Sequence, residues 1–140
     1  MPVSLTRTVE FTATHRYFRP DWTAEENERA FGPLGAEPGH SHVYRCSITV
    51  SGPIDSRSAM VMDLPELDRI LEDEVVKPLD HRHLNLDVPE FAYGKTLPTC
   101  EAVAQLLYRR IAPRLSQPVV LDRVRVAEDA SLHADCTGPA

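Results

Sequence analysis

Gly39-His40-Ser41-His42-Val43-Tyr44 begins a segment that predicts a β-strand, and it places two histidines one residue apart. Successive side chains of a strand point to opposite faces, so His40 and His42 lie on the same face. A third histidine, His15, ends an earlier segment in which polar and apolar residues alternate. A catalytic zinc site typically has three neutral imidazole ligands and leaves one coordination position open. We predict that these three histidines form such a site. The other histidines that could replace His15 as the third ligand are His81, His83 and His133.

The composition favours one folded unit with a hydrophobic core. With 140 residues, of which 42% are hydrophobic, we expect a single domain over residues 1–140. Fifteen basic against 21 acidic residues give a net charge of −6 without any basic run, which disfavours nucleic acid and anionic membranes as partners. No apolar run approaches the ~18 residues that span a bilayer. The first seven residues also lack the apolar core of a signal peptide.

The three cysteines are widely spaced in the sequence, at Cys46, Cys100 and Cys136. Their odd number argues against a disulfide framework and against a cysteine-based zinc site, so we expect a cytoplasmic protein. Cys46 shares a strand face with His42 but lies further along the strand, which is typical of a core residue. Cys100 follows a predicted helix cap, where the helix dipole would favour a thiolate.

The periodicity of apolar residues predicts the element order β-β-β-α-α-β-β. The predicted strands span residues 5–15, 40–50, 59–62, 118–128 and 131–135, and the third of them pairs with the second as a hairpin. The predicted helices span residues 64–77, after the cap Asp63, and the stretch between the cap Thr99 and Pro113. Residues 17–39 are predicted to form a long loop with one helical turn after Thr23. Without βαβ alternation, this order indicates an α+β fold whose antiparallel sheet carries helices on one face.

Two further groups carry chemistry. Asp80 and His81 follow the first long helix, and the carboxylate could orient the imidazole as a general acid or base. Alternatively, both side chains satisfy the carbonyl groups at the helix end. Glu128 ends a predicted strand whose face is otherwise mostly valine (Val120, Val124 and Val126). Its carboxylate is either solvated at the end of the strand or buried, where it would bind a ligand that is rich in hydrogen-bond donors.

The sequence resembles the 6-pyruvoyltetrahydropterin synthase family, which includes the 6-carboxytetrahydropterin synthases of queuosine-type biosynthesis. The match runs nearly from end to end and rests on several segments in the same order. Besides the first stretch and Glu128, they include Phe11-Thr12-Ala13-Thr14-His15-Arg16, Met60-Val61-Met62-Asp63-Leu64, Lys77-Pro78-Leu79-Asp80-His81 and Pro98-Thr99-Cys100-Glu101.

The resemblance implies a tunnelling fold (T-fold), in which a four-stranded antiparallel sheet is backed by two helices. It also implies a homohexamer of two trimers, with active sites between subunits. The implied activity is that of a zinc-dependent lyase on the side chain of 7,8-dihydroneopterin triphosphate, as in tetrahydrobiopterin biosynthesis. The implied roles are zinc ligands for His15, His40 and His42, a catalytic pair for Asp80 and His81, and substrate binding for Glu128, Thr99 and Glu101.

One departure from the family concerns the proton-transfer group. The family's catalytic cysteine lies in the loop before the two histidines, but residues 31–39 contain no cysteine and Leu34 stands at its place. Glu37 lies three residues before His40, the spacing of a family subgroup that uses glutamate and makes 6-hydroxymethyl-7,8-dihydropterin for folate synthesis. Glu37 is therefore a candidate catalytic base, with a solvated loop residue as the alternative. A non-catalytic or repurposed pterin- or purine-like binding protein is the remaining hypothesis.

Overall fold

Two long antiparallel strands form the centre of the sheet. In the computed structural model, which describes residues 3–138, β1 (Val3–His15) pairs with β2 (His40–Gly52) along the whole of both strands. More buried and less buried side chains alternate from Thr8 to His15 in β1 and from His40 to Ile48 in β2, as the sequence predicts. The register places His15 directly opposite His40, at the end of the pair that the connecting loop closes.

Three further strands complete a five-stranded sheet of order β3-β1-β2-β4-β5. β4 (Val120–Asp129) pairs antiparallel with β2, and β5 (Leu132–Cys136) pairs antiparallel with β4. These four strands confirm the predicted antiparallel sheet. β3 (Arg82–His83) was not predicted, because a two-residue strand carries no periodic signal, and it pairs in parallel with β1.

Residues 59–62 do not form the predicted strand. Both edges of β2 are already paired, with β1 and with β4, so no edge remains for a hairpin partner. The segment instead belongs to a turn in which the Asp55 backbone N–H donates to the carbonyl of Met60, and the Asp55 carboxylate accepts from two nearby backbone N–H groups. The turn therefore satisfies locally the groups that a strand would have paired.

A shift in strand register corrects the predicted face of β4. Between the β4 partners of Thr49 and Val50 lies one residue of β4 that has no partner in β2. This irregularity is a β-bulge. Val120 is consequently exposed and Leu121 is buried, whereas Val124 and Val126 face the core as expected. Beyond the bulge, Glu128 lies on the same buried face.

The helices begin at the predicted caps. α1 (Ala24–Phe31) is two turns long instead of one, with Thr23 as its cap, and leads into a 3₁₀ turn (Gly32–Gly35). α2 (Leu64–Leu71) begins after Asp63 and continues through a π-helical turn (Glu72–Val76) into α3 (Lys77–Leu79). Pro78 therefore does not end the helical segment at residue 77. It lies in the first turn of α3, after the π turn has interrupted the α-helical hydrogen-bond series.

The last helix, α5 (Cys100–Ile111), follows α4 (Leu84–Asp87) and a 3₁₀ turn (Pro89–Phe91), and Thr99 caps it as predicted. A 3₁₀ turn (Ala112–Arg114) contains Pro113 and ends the helical segment. α5 packs on β4 and β5, and its apolar side chains join those of α2 in one core on one face of the sheet. The opposite face carries hydroxyl pairs such as Thr6–Thr49 and Thr8–Ser47. The fold is thus α+β, with helices on one face of the sheet.

Candidate active site

Three histidines gather where β1 and β2 meet the connecting loop. The ligating nitrogens of His15, His40 and His42 all lie within 4.8 Å of one another. The register explains this, because His15 faces His40 and Ala13 faces His42, on the face that the helices cover. Among residues 3–138, no other histidine joins this group, so the alternative third ligands are not supported.

The surroundings of His15 hold its ring in one orientation. The side chain is buried, and its Nδ1 lies 2.7 Å from the carbonyl oxygen of Pro98. Donation from Nδ1–H to Pro98 leaves Nε2 as the nitrogen with a free lone pair. The Tyr44 hydroxyl lies 3.1 Å from the same Nδ1. Burial lowers the pKa of His15 to about 4, against the opposing effect of the Pro98 hydrogen bond, and burial also lowers the pKa of His40.

The donor set fits zinc. Nε2 of His15 and Nε2 of His42 are both buried, and neither atom has a hydrogen-bond partner among the described residues. Buried polar atoms without partners are costly, and a coordinated metal would satisfy both nitrogens. Three imidazoles that leave one coordination position open are the donor set of a catalytic zinc ion.

Glu128 is the carboxylate nearest to the histidines. Its side chain is 9% exposed, and Oε2 lies 3.7 Å from Nε2 of His42. The Tyr17 hydroxyl donates to Oε1 over 3.4 Å, and the Tyr17 ring contacts His15 edge-on at 4.8 Å between centroids. Burial raises the pKa of Glu128, while His42 and Tyr17 oppose that shift. Of the two predicted roles, the structure therefore excludes a solvated strand end.

Asp80 and His81 lie at the outer edge of β1. The Asp80 carboxylate accepts from the backbone N–H of Thr12 over 2.8 Å, and the His81 backbone N–H donates to the carbonyl of Thr12 over 2.7 Å. The His81 side chain is 82% exposed, with Nε2 at 3.5 Å from the other Asp80 carboxylate oxygen. Within the described chain, neither side chain has a hydrogen bond or a ring contact with the three histidines. The Asp80 carboxylate is thus bound to the strand that carries His15, whereas the His81 side chain points to solvent.

Glu37 is also exposed, and its loop is tied to Arg16. The Glu37 carboxylate lies 3.7 Å from Nη1 of Arg16, whose Nε donates to the carbonyl of Gly35 over 2.7 Å. Gly39 brings the end of this loop against β1: its φ is +125°, and a Cβ there would lie 2.6 Å from the His15 carbonyl oxygen. The loop therefore packs directly on the backbone of His15, although the Glu37 carboxylate points to solvent.

The cysteines do not supply a thiolate near the histidines. Cys46 is a core residue, as predicted, and burial raises the pKa of its thiol to about 12. The Cys100 thiol is buried and donates to the carbonyl of Val126 over 3.0 Å. Burial, with Glu128 adding to it, raises the pKa of Cys100 to about 11. At Cys100, burial therefore outweighs the helix dipole, which alone would favour a thiolate.

Thr99 and Glu101 line an open cavity of about 580 Å³ between the start of α5 and residues 134–138. The Thr99 hydroxyl accepts from the backbone N–H of Ala102 over 3.1 Å, as expected of a cap, and Glu101 is exposed. Both residues therefore line a surface that a ligand could reach.

Sequence reasoning missed three groups that shape the site: Tyr17, Tyr44 and Pro98. The alternation of β2 places Tyr44 on the face of His42, but it does not indicate the contact between the Tyr44 hydroxyl and His15. Tyr17 and Pro98 lie in loops, where no periodicity indicates which way a group points. No helix among residues 3–138 combines the length and the apolar character needed to cross a membrane.

Comparison with known proteins gives consistent matches. The family model described as 6-pyruvoyl tetrahydropterin synthase matches residues 4–139. The 6-pyruvoyl tetrahydrobiopterin synthase of Drosophila melanogaster is 37% identical over 135 residues, which cover 96% of this chain and 79% of that protein. The dihydroneopterin monophosphate aldolase of Pyrococcus furiosus is 34% identical over 89 residues, covering 64% of this chain and 69% of that protein. The structure of Caenorhabditis elegans 6-pyruvoyl tetrahydropterin synthase superposes with a TM-score of 0.90 at 30% identity, covering 99% and 96% of the two chains.

Proposed function

The chain belongs to the 6-pyruvoyl tetrahydropterin synthase family, and we propose on this premise that it is a zinc-dependent lyase acting on the side chain of 7,8-dihydroneopterin triphosphate. The observation that carries the proposal is the group formed by His15, His40 and His42, with two buried nitrogens that lack partners. A zinc ion held there would supply a Lewis acid that lowers the pKa of the substrate's side-chain hydroxyls.

Glu128 is proposed to hold the pterin ring. An ionised carboxylate can accept two hydrogen bonds from the ring's amino and N–H groups, which fixes the ring relative to the histidines. The Tyr17 hydroxyl, which contacts one Glu128 oxygen, limits the orientations open to that carboxylate. Thr99 and Glu101, on the adjoining cavity wall, are proposed to complete the substrate contacts.

His81 and Glu37 are proposed to move the protons. Asp80 would keep the His81 imidazole oriented, so that it can give or take a proton at the substrate side chain. Glu37 would act as the base in place of the missing cysteine. Because both side chains are exposed in the single chain, the proposal includes the homohexamer of two trimers that the resemblance implies, in which sites lie between subunits.

Product analysis tests the activity. The purified protein is loaded with zinc and supplied with 7,8-dihydroneopterin triphosphate, and the products are identified by mass. We expect 6-pyruvoyltetrahydropterin or 6-carboxytetrahydropterin, and no turnover by the His42→Ala variant. Turnover by the wild type no higher than that of this variant would disprove the proposal.

A second candidate is an aldolase that releases 6-hydroxymethyl-7,8-dihydropterin. Two observations favour it: Glu37 lies three residues before His40, and an aldolase is among the relatives. The same product analysis, repeated with 7,8-dihydroneopterin monophosphate, separates the two reactions. A Glu37→Gln variant without turnover would exclude the remaining alternative, a protein that binds pterin-like ligands without chemistry.

The proposal also covers the organisation and location of the protein. Residues 1–140 are proposed to form one domain, with residues 1, 2, 139 and 140 outside the described part, and the assembly is proposed to be cytoplasmic. Sedimentation of the purified protein at the mass of six chains of 15.7 kDa would support the homohexamer. Sedimentation as a monomer would contradict the assignment of Glu37 and His81 to sites between subunits.

A further inference from the structure

A cavity of about 810 Å³ with a positively charged wall lies on the other side of the Thr99 segment. Three cationic side chains line it: Arg19, Lys95 and Arg109. Its one carboxylate, Glu90, is paired with Arg110 over 3.1 Å. Because the chain as a whole carries a net charge of −6, this wall differs in sign from the rest of the protein. A cavity of this kind attracts and concentrates anions.

Arg19 is held in place before any ligand arrives. Its backbone N–H donates to the side-chain oxygen of Asn27 over 2.8 Å, and its carbonyl accepts from the Asn27 amide over 3.0 Å. Asn27 is itself buried. The Arg19 side chain donates from Nη1 to the carbonyl of Lys95 over 2.8 Å, which leaves most of its five N–H donors available. A guanidinium fixed in this way is suited to phosphate oxygens, because its planar fork matches their geometry.

The cavity is connected to His15 through the segment from Leu97 to Thr99. Leu97 and Thr99 both line it, and between them Pro98 accepts the hydrogen bond from His15. Consecutive Cα atoms are about 3.8 Å apart. The wall of the cavity is therefore one residue away from Pro98, which contacts the proposed zinc ligand His15. Thr99 also lines the cavity beside Glu101. A ligand with its ring near Glu128 and its side chain at the histidines could therefore extend an anionic tail into this cavity.

We propose that this cavity binds the triphosphate group of the substrate through Arg19, Lys95 and Arg109. The inference rests on the proposed function, which supplies a substrate with a triphosphate at the end of its side chain. It assigns these three residues to substrate binding and accounts for a concentration of positive charge that the metal site and the pterin anchor do not require.

Binding of inorganic tripolyphosphate tests the cavity without any turnover. Calorimetry at low salt compares the wild type, Arg19→Gln, the double variant Lys95→Gln/Arg109→Gln and the control Arg29→Gln, all in the same metal state. Arg29 is an exposed arginine of α1 that does not line this cavity. We expect about tenfold weaker binding for each cavity variant, the loss typical of a charge-assisted hydrogen bond, and unchanged binding for the control. Equal affinity in all four proteins would overturn the inference.

The double variant keeps the test decisive if Arg19→Gln loosens the fold. Lys95 and Arg109 are exposed, so we expect thermal unfolding of the double variant to match that of the wild type. If tripolyphosphate binding by this folded variant equals that of the wild type, the inference is wrong.

A second comparison connects the cavity to the substrate. We expect the double variant to bind 7,8-dihydroneopterin triphosphate about tenfold more weakly than the wild type, and 7,8-dihydroneopterin equally well. Equal losses for both ligands, or a loss for tripolyphosphate alone, would overturn the assignment to the substrate. If the wild type does not turn over the triphosphate but the double variant still loses its binding, the proposed reaction fails and the phosphate site stands.

Discussion

Replacing Gly39 by alanine tests the packing that joins the loop to the histidines. A Cβ at this position would lie 2.6 Å from the His15 carbonyl oxygen, about 0.8 Å short of the 3.4 Å at which ordinary contact begins. The two nearest atoms belong to the His15 backbone and cannot rotate away as a flexible side chain would. Zinc–ligand distances tolerate only about 0.2 Å, so a displacement of His15 by several tenths of an ångström disrupts coordination.

Gly94→Ala is the matched control. Gly94 also has a positive φ, +89°, but no atom lies within 4 Å of the Cβ that it would gain. Both variants should lose about 1–3 kcal/mol of unfolding free energy, because alanine is strained at positive φ. Only Gly39→Ala should lose more than this, and its zinc affinity should fall about 10- to 100-fold, the range seen when groups supporting a ligand are altered.

Thermal and denaturant unfolding measure the stability, and competition with a chromogenic chelator measures the zinc affinity. Gly94→Ala should bind zinc as the wild type does. If Gly39→Ala binds zinc with unchanged affinity, the loop does not hold His15 in its ligating position and the reasoning is refuted.

Three further predictions concern the site, the thiols and the sheet edge. Tyr17→Phe removes the hydroxyl that contacts Glu128. We expect KM for the pterin substrate to rise about 3- to 10-fold while thermal stability is unchanged. An unchanged KM would exclude a role of Tyr17 in positioning the Glu128 carboxylate. The native protein should react with one equivalent of thiol reagent, at the partly exposed Cys136, because the other two cysteines are buried; modification of all three would contradict that burial. Arg125 lowers the pKa of Asp135 in the folded protein. Their pairing therefore stabilises the fold fully at pH values above the unfolded pKa of Asp135, which is about 3.9. This stabilisation is lost as the pH falls through the lower pKa that Asp135 has in the folded protein. Asp135→Asn should therefore cost about 0.2–1 kcal/mol at pH 7 and nothing at pH 2 in urea unfolding, and an equal cost at both pH values would refute the ion pair as its cause.

The metal group could be predicted from the sequence because it depends on local rules alone. His15 ends one alternating strand and His40 begins the next, so antiparallel pairing of consecutive strands brings them face to face. Two-residue periodicity then places His42 on the same face. The caps Thr23 and Thr99 follow from equally local hydrogen bonding to backbone N–H groups.

The remaining features depend on long-range packing. Residues 59–62 have the composition of a strand, but β2 has no free edge to receive them. The thiol of Cys100 follows a helix cap as expected, yet the core that encloses it raises its pKa. The contact between His15 and Pro98 joins residues 83 positions apart, so it follows only from the assembled fold.

Zinc binding by His15, His40 and His42 together is the proposal on which the other proposed roles depend. X-ray absorption at the zinc edge of the loaded protein tests it most directly. We expect one zinc per chain, with three imidazole nitrogens at about 2.0–2.1 Å and one further light-atom ligand. A sulfur ligand at about 2.3 Å, or the same spectrum from the His42→Ala variant, would contradict the claim.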